Sequence, residues 1–207
     1  MNAAPDLITA PVLRPAGLSD VESMAAMINR FAARNLMLPK SSAELHRAFR
    51  EYAVLTGPTG EVVACAGLRI YSAELAEIVG LAVHEDWQGR GLGPQLVAHL
   101  LEEGRRLGVR RVFAMALKPA FFETLGFRTI PREWIPEKVA GDCRGCARRA
   151  GCMEVALVVN LEEGAEPLGP PAPTRSRRAR TRVVPLRVLP AAAAAASGAG
   201  RGKRRTR

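Results

Sequence analysis

Residues 77–101, EIVGLAVHEDWQGRGLGPQLVAHLL, contain the strongest local signal in the chain. An apolar strand pattern is followed by an acidic turn, a glycine-rich loop and an amphipathic helix pattern. Glycine at three of the six loop positions, 88–93, lets backbone amides approach a ligand with no side chain between them. The helix N-terminus adds unsatisfied N–H groups and partial positive charge, and Arg90 adds a full charge. The stretch therefore predicts a phosphate-binding loop.

Two common nucleotide-binding motifs do not fit this loop. A dinucleotide-binding motif requires a following strand with an acidic terminus at the ribose-binding distance, and no such strand follows. A P-loop requires Lys-Ser or Lys-Thr after its last glycine, where this chain has Pro94-Gln95. A plain strand-to-helix turn is the remaining alternative, so the surrounding elements must decide.

Hydrophobic periodicity predicts seven strands and four helices, in the order β-α-α-β-β-β-α-β-α-β-β. Capping boxes at residues 19–22 and 41–44 are predicted to start the first two helices. The turn cluster at 57–60 predicts a hairpin. The predicted strands are 12–14, 52–56, 61–71, 76–83, 111–117, 127–130 and 153–161. The chain is therefore predicted to be an α/β domain.

Two motifs carry a resemblance to a known family. The strand EIVGLAV, an acidic turn and QGRGLG opening a helix resemble the acetyl-CoA motif of the GNAT superfamily of N-acetyltransferases. Residues 121–127, FFETLGF, resemble the second signature of that superfamily, in which a short helix ends in Gly-Phe. The resemblance covers residues 12–160. It implies a mixed central sheet of six to seven strands, about four flanking helices and a splayed central strand pair.

The resemblance also implies where acetyl-CoA binds. Its pyrophosphate is expected on the loop amides, and its pantetheine arm on the backbone of the preceding strand. Gly80 suits the bulge that separates this strand from its neighbour. Phe122 is expected to contact the cofactor, and it occupies the position where the superfamily usually has a tyrosine that acts as the general acid. The other cofactor-binding candidates are Leu81, Ala82, Val83, Gln88, Gly89, Arg90, Gly91, Leu92 and Gly93.

Acetyl transfer by direct attack needs an acceptor amine without its extra proton and a route for the departing thiolate. Glu77, at the start of the central strand, is the candidate base, directly or through a water. Glu74 is the competing carboxylate, and a structural strand-end charge is the alternative role for Glu77. Because Phe122 cannot donate a proton, Tyr71 is the better placed of the two tyrosines to act as an acid, and Tyr52 is the other.

A narrower resemblance concerns the acceptor. The segments LMLPKS (36–41), WIPEKV (134–139) and DCRGC (142–146) are similar to those of stand-alone bacterial N-acetylglutamate synthases of arginine biosynthesis. This similarity implies L-glutamate as the substrate, with Lys40, Arg69 and Lys138 recognising its carboxylates. Those enzymes commonly have arginine where this chain has Val79. The alternatives are another amino acid, a polyamine or a protein N-terminus as acceptor, or an acetyl-CoA-binding module without catalysis.

Three clustered cysteines, Cys143, Cys146 and Cys152, have the spacing C-x2-C-x5-C. A structural zinc ion takes four ligands, and CxxC is a frequent half-site. The fourth ligand would come from Cys65, His84, Asp142 or a partner chain. The alternative interpretation is a reduced, partly buried cysteine loop.

The net charge of +10 belongs mostly to the C-terminal segment. From residue 161 onward, 11 arginines and lysines face three glutamates, which leaves residues 1–160 at +2. We therefore predict a catalytic domain over 1–161 and a disordered Pro/Ala/Arg-rich tail over 162–207. The tail could hold nucleic acid phosphates without reading sequence, although a solvated extension is favoured. With no apolar run long enough for a membrane and no secretory signal, the expected location is cytoplasmic; a homodimer is also considered.

Overall fold

A computed structural model describes residues 10–146, 149–162, 164 and 168–171. The strands are β1 (Val12–Pro15), β2 (Tyr52–Thr56), β3 (Val62–Ile70), β4 (Leu75–Val83), β5 (Arg111–Ala116), β6 (Arg128–Ile130) and β7 (Val155–Asn160). The helices are α1 (Val21–Ala33), α2 (Ser42–Ala48), α3 (Leu92–Arg106), α4 (Pro119–Glu123) and α5 (Pro136–Ala140). The predicted α/β class and strand number are confirmed. The short helix α5 was not predicted.

The seven strands form one mixed sheet in the order β1-β2-β3-β4-β5-β7-β6. The neighbours β4 and β5 are parallel, and the other neighbouring pairs are antiparallel. Parallel neighbours need a crossover, which here is α3. The crossover places the glycine loop at the end of β4, beside the centre of the sheet.

Alternating residues of the strands supply three hydrophobic clusters distributed over the two faces of the sheet, and Leu75, Phe113 and Ile135 belong to the third. On one face, Ala76 and Ile78 of β4 pack with Leu96 and Leu100 of α3. On the other face, Val79 packs with residues of α1 and α2. Within the described part of the chain, no helix is long and apolar enough to span a bilayer.

The central strands β4 and β5 separate, as predicted. Their pairing runs from Leu75 opposite Arg111 to Ile78 opposite Ala114, and no later pair is found in the described chain. The register between β3 and β4 shifts between Cys65 and Gly67, opposite Gly80, whose φ of 60° lies in the left-handed region. The bulge at Gly80 turns β4 away from β5, and the edge of β4 beyond it faces a gap.

One of the two predicted capping boxes is wrong. The Ser41 hydroxyl accepts from the Glu44 amide at 3.2 Å, and the Ser41 amide donates to the Glu44 carboxylate at 2.7 Å, as predicted. At the start of α1, however, Asp20 replaces Ser19 as N-cap. The buried Asp20 carboxylate is held by Arg14 of β1 at 2.6 Å, a contact that forms only when the chain folds back between residues 14 and 20.

Candidate active site

The glycine loop between β4 and α3 presents open backbone to one side. Gly89 and Gly91 have φ angles of 74° and 77°, and a Cβ at either position would meet no heavy atom within 4 Å. The left-handed conformation is low in energy only for glycine, and the empty space beside the two glycines leaves room for a ligand. The loop is fixed at its start, where the Gln88 side chain donates to the Val83 carbonyl at 3.0 Å.

Helix α3 begins with free amides that point out of its N-terminus. The amide of Gln95 donates to the Gly91 carbonyl at 3.1 Å and forms the first turn. The amides of Leu92 and Gly93 precede that bond and have no intrahelical acceptor. Pro94 lacks an amide at a position where none is needed. The N-terminus of α3 is thus built to bind an anion.

The two phenylalanines of α4 divide between the loop and the core. Phe121 lies against the loop helix, since a Cβ on Gly93 would come within 3.3 Å of its ring. Phe122 is buried and packs edge-to-face on Phe127, with ring centroids 5.2 Å apart. Phe122 thus supports α4 from the core, whereas Phe121 is the ring that contacts the loop.

The end of β4 offers hydrogen-bonding backbone to the gap beside β5. Ala82 and Val83 pair with β3 on one side only. Because β5 has diverged by this point, the backbone groups of residues 81–83 on the other side are open to a ligand that runs along the strand. The residues predicted to bind the pantetheine arm therefore line the gap.

Glu77 lies on β4 before the bulge and is buried, with 3% of its surface exposed. Its carboxylate is bound by Lys138 Nζ at 2.8 Å and by the Tyr71 hydroxyl at 2.8 Å. Burial raises the pKa of Glu77, and the positive charge of Lys138 and the Tyr71 hydrogen bond offset this only in part. Burial would lower the pKa of Lys138, but its carboxylate neighbours outweigh that effect and raise it.

A second carboxylate, Asp142, meets the same cations from the solvent side. It lies in the turn after α5, 2.8 Å from Lys138 Nζ and 3.5 Å from Arg69 Nη1. Arg69 is the cross-strand partner of Glu77 and also contacts Glu51 at 3.4 Å. Burial would raise the pKa of Asp142, but Lys138 and the other donors lower it.

Lys40 completes the cationic cluster from the segment between α1 and α2. Its backbone is fixed by Asn29 through two hydrogen bonds, of 2.7 and 3.0 Å. Burial, and then the charge of Arg69, lower the pKa of Lys40. In the described part of the chain no carboxylate lies within ion-pair distance of its ammonium group. Lys40, Arg69 and Lys138 are thus brought together around Glu77.

Comparison with known proteins identifies the family. The model of the acetyltransferase (GNAT) family matches residues 24–127, half of the chain. The chain belongs to the GNAT family. An uncharacterised N-acetyltransferase of Chlorobaculum tepidum is 33% identical over 153 residues, 72% of this chain and 96% of the relative. The amino-acid acetyltransferase of Mycobacterium tuberculosis is 34% identical over 122 residues, 58% of this chain and 70% of the relative.

Solved structures agree with this GNAT assignment. N-acetylglutamate synthase from Neisseria gonorrhoeae, in complex with coenzyme A and N-acetyl-glutamate, superposes with a TM-score of 0.67 at 28% identity. The match covers 73% of this chain and 35% of that one, so this chain spans about a third of the Neisseria enzyme. A Mycobacterium tuberculosis protein in complex with CoA and NLQ has a TM-score of 0.65 at 26% identity, covering 72% and 99%. This GNAT protein is therefore an acetyl-CoA-dependent N-acetyltransferase.

The contacts of two residues near Glu77 were not predicted from the sequence. Tyr71 was considered as an acid for the thiolate, but its hydroxyl binds Glu77, and burial followed by the Glu77 charge raises its pKa. Asp142 was considered as a zinc ligand, but it binds Lys138. The four-residue spacing of Lys138 and Asp142, one helical turn, is the signal that could have paired them. Val79 is buried against α1, and Arg69 lies on the neighbouring strand β3, opposite Glu77.

The zinc hypothesis gains no support from the structure. Cys143, Cys146 and Cys152 are partly buried and unpaired. Among the described residues, no group of three or more His, Cys, Asp or Glu side chains could hold a metal ion. The side chains present do not fit a zinc centre, and we derive no role for a metal.

Proposed function

We propose that this GNAT enzyme acetylates the α-amino group of L-glutamate, the first step of arginine biosynthesis. The observation that carries the proposal is the convergence of Lys40, Arg69 and Lys138 on the face of the sheet that holds Glu77. A dicarboxylate acceptor offers two negative groups to such a cluster, and charge-assisted hydrogen bonds to them are strong. The relatives named amino-acid acetyltransferase support the same substrate class.

We assign the acetyl-CoA site to the loop and the end of β4. The pyrophosphate lies on the amides of residues 88–93, where the two left-handed glycines and the first turn of α3 direct donors outward. The pantetheine arm pairs with the open edge of residues 81–83. The thioester then lies in the gap beyond Ile78 and Ala114, where β4 and β5 separate.

Glu77 acts as the base in this proposal, directly or through a water. The α-amino nitrogen attacks the acetyl carbon, a C–N bond forms, and the C–S bond to coenzyme A breaks. The amine loses a proton to the Glu77 carboxylate. The raised pKa of Glu77 suits a base that works near neutral pH, because a more basic carboxylate takes the proton more readily.

The thiolate leaves without help from α4. Phe122 is apolar and buried, so it gives no proton to the sulfur. A thiol has a pKa of about 8.5, which makes the thiolate a stable leaving group that can take a proton from water. Tyr71 instead orients the Glu77 carboxylate through its 2.8 Å hydrogen bond.

Lys40, Arg69 and Lys138 recognise the carboxylates of the acceptor in this proposal. Lys40 is half-buried and has no carboxylate partner among the described residues, so an acceptor carboxylate would relieve the cost of its desolvation. Lys138 binds the Glu77 carboxylate, Arg69 lies opposite Glu77 on β3, and these two cations suit a second carboxylate. The amine between the two carboxylates is then held beside the base.

A thiol-release assay with acetyl-CoA and a panel of amines tests this function. L-glutamate should give the highest kcat/KM, above L-glutamine, L-arginine, spermidine and a peptide N-terminus. Turnover of another amine but not of glutamate would contradict the substrate assignment. Acetyl-CoA binding without turnover of any amine would instead favour a binding module.

Three further assignments remain proposals. The catalytic domain covers residues 1–161, and residues 162–207 form a Pro/Ala/Arg-rich basic tail, for which a solvated extension is favoured over binding of nucleic acid through charge. Cytoplasmic location follows from a role in amino-acid biosynthesis. Sedimentation of the purified protein would test the homodimer.

A further inference from the structure

One oxygen of Asp142 receives three donors, one from α5 and two from the end of β3 and the residue after it. Its Oδ2 atom lies 2.8 Å from Lys138 Nζ, 3.2 Å from the Tyr71 hydroxyl and 3.5 Å from Arg69 Nη1. Lys138 comes from α5, Arg69 from β3 and Tyr71 from the residue after β3. Two of these donors are the cations assigned to the acceptor. An internal carboxylate thus lies where a carboxylate of the acceptor would be bound.

The Asp142 carboxylate is more exposed than the cations it covers. Its side chain is 44% exposed, compared with 12% for Lys138 and 29% for Arg69. The turn at 141–145 belongs to no helix or strand. Among the described residues its backbone hydrogen bonds reach only α5, the turn itself and the adjacent Cys146, as in the 3.1 Å bond from the Cys143 amide to the Lys138 carbonyl. Because Asp142 itself is nearly half exposed, water screens part of each ion pair, and an incoming carboxylate can replace Asp142 at a modest cost.

Charge accounting shows what the displacement would change. With Asp142 in place, Lys138 contacts two carboxylates and Arg69 contacts Glu51 and Asp142, which leaves Lys40 for an incoming anion. That arrangement suits one acceptor carboxylate. When Asp142 leaves, Lys138 and Arg69 each lose one anionic partner, and a second acceptor carboxylate can replace it.

We propose that Asp142 is an internal competitor for the second carboxylate of the acceptor, and that a dicarboxylate acceptor displaces it on binding. The proposal rests on the function given above and extends it to specificity. A monocarboxylate acceptor binds with Asp142 in place, whereas a dicarboxylate must replace its contacts with Lys138 and Arg69. Breaking the contacts of Asp142 with Lys138 and Arg69 costs free energy, and this cost lowers the affinity for the dicarboxylate.

Steady-state kinetics of Asp142→Asn with L-glutamate and L-glutamine test the proposal. Loss of the competing charge should lower the KM for L-glutamate about fivefold, since charge-assisted hydrogen bonds of this kind are among the stronger polar contacts. The KM for L-glutamine and the KM for acetyl-CoA should change less than about twofold. Glu137→Gln is the matched control, because it removes one negative charge from an exposed position of α5, the helix that carries Lys138, and leaves the cluster intact.

Binding of glutarate, a dicarboxylate without an amine, separates this proposal from the proposed function. By calorimetry with CoA present, Asp142→Asn should bind glutarate more tightly than wild type and Glu137→Gln should not, even if the wild type fails to turn over glutamate. A higher KM for glutamate in Asp142→Asn than in wild type would overturn the proposal. So would glutarate binding that is equally tight in wild type and Asp142→Asn, or that is absent from both. Such results would make Asp142 a residue that positions Lys138.

Discussion

At the scale of single residues, the site depends on a buried carboxylate that is kept among cations. Glu77 is desolvated, and Lys138 and Tyr71 compensate for only part of the cost of its charge. A buried group with a shifted pKa beside the splayed strands is a strong candidate for catalysis. The contacts of Glu77 therefore give predictions for activity, pH dependence and substrate binding.

Replacing the base tests its role directly. Glu77→Gln should lower kcat by about 10² to 10⁴, the usual contribution of a general base, with the KM for acetyl-CoA unchanged. Glu74→Gln is the control, because Glu74 is exposed and pairs with Arg110 and Arg111 away from the site. Equal losses in both variants would show that Glu77 is not the base. Circular dichroism checks that both variants fold.

The pH dependence of kcat/KM follows from the direction of the Glu77 pKa. A base acts when it is deprotonated, so activity should fall as the pH drops through its raised pKa. The acid limb should therefore lie above the pH at which an ordinary glutamate titrates. A pH-rate profile with glutamate measures it, and an acid limb in the ordinary range for glutamate would contradict the shift.

Lys40 is expected to act on the acceptor and not on the cofactor. Lys40→Met keeps most of the side-chain stem and removes the charge, so the KM for L-glutamate should rise about tenfold. The KM for acetyl-CoA should stay near that of wild type. Arg47→Met, an exposed position on α2, removes one positive charge as a control. An unchanged KM for glutamate would remove Lys40 from the acceptor site.

At the scale of elements, one glycine in β4 creates the gap that the chemistry uses. Gly80 combines a φ of 60° with close contacts, because a Cβ there would lie 2.8 Å from the Tyr52 hydroxyl and 3.3 Å from Ile28. The Tyr52 ring is itself packed over Gly67. Any side chain at Gly80 would push β4 out of its bulge.

Gly80→Ala should therefore cost both stability and activity. The left-handed backbone and the contact with Tyr52 together should lower the free energy of unfolding by about 1–3 kcal/mol. Gly60→Ala is the control, because Gly60 has a φ of 86° in an open turn and suffers backbone strain alone. Urea denaturation and kcat/KM measure the two effects. Equal losses of stability and full activity in both variants would contradict the role of the bulge.

The loop before α3 should respond differently, because its glycines have open space. Gly91→Ala adds a methyl group where the ligand is expected, so the KM for acetyl-CoA should rise by about tenfold or more while the KM for the acceptor changes little. Gly126→Ala has similar backbone strain at the end of α4 and serves as control. A comparable KM for acetyl-CoA in the two variants would place the pyrophosphate elsewhere.

At the scale of the whole molecule, catalysis is expected to need only the part of the chain that forms the core. The buried apolar residues found in the described chain lie between Ala16 and Leu161. Leu168, beyond that range, is partly buried and packs against them. A chain ending at Pro171 should keep its kcat/KM within about twofold, since it retains every residue assigned to the site. Any salt-sensitive binding of RNA that the full chain shows in an anisotropy titration should be absent from this shorter chain. Loss of activity on truncation would show that the tail contributes to the site.

Most of the fold could be predicted from the chain alone, because its signals are local. The alternation of β4 and the apolar stripe of α3 set the type of each element, and glycines mark the loop between them. All seven strands fall within two residues of their predicted positions. The exceptions are the start of α1, where Arg14 fixes Asp20, and the short helix α5.

By itself, the sequence determined the GNAT fold and the open glycine loop before α3, since a glycine's freedom and a helix's free amides are properties of the backbone at that point. Only the tertiary structure decided how the charges pair. Glu77, Lys138 and Asp142 come from a strand, a helix and a turn, and their contacts depend on where β4 and α5 meet. Coulomb interactions and desolvation depend on distance and burial in space, which spacing along the chain does not encode.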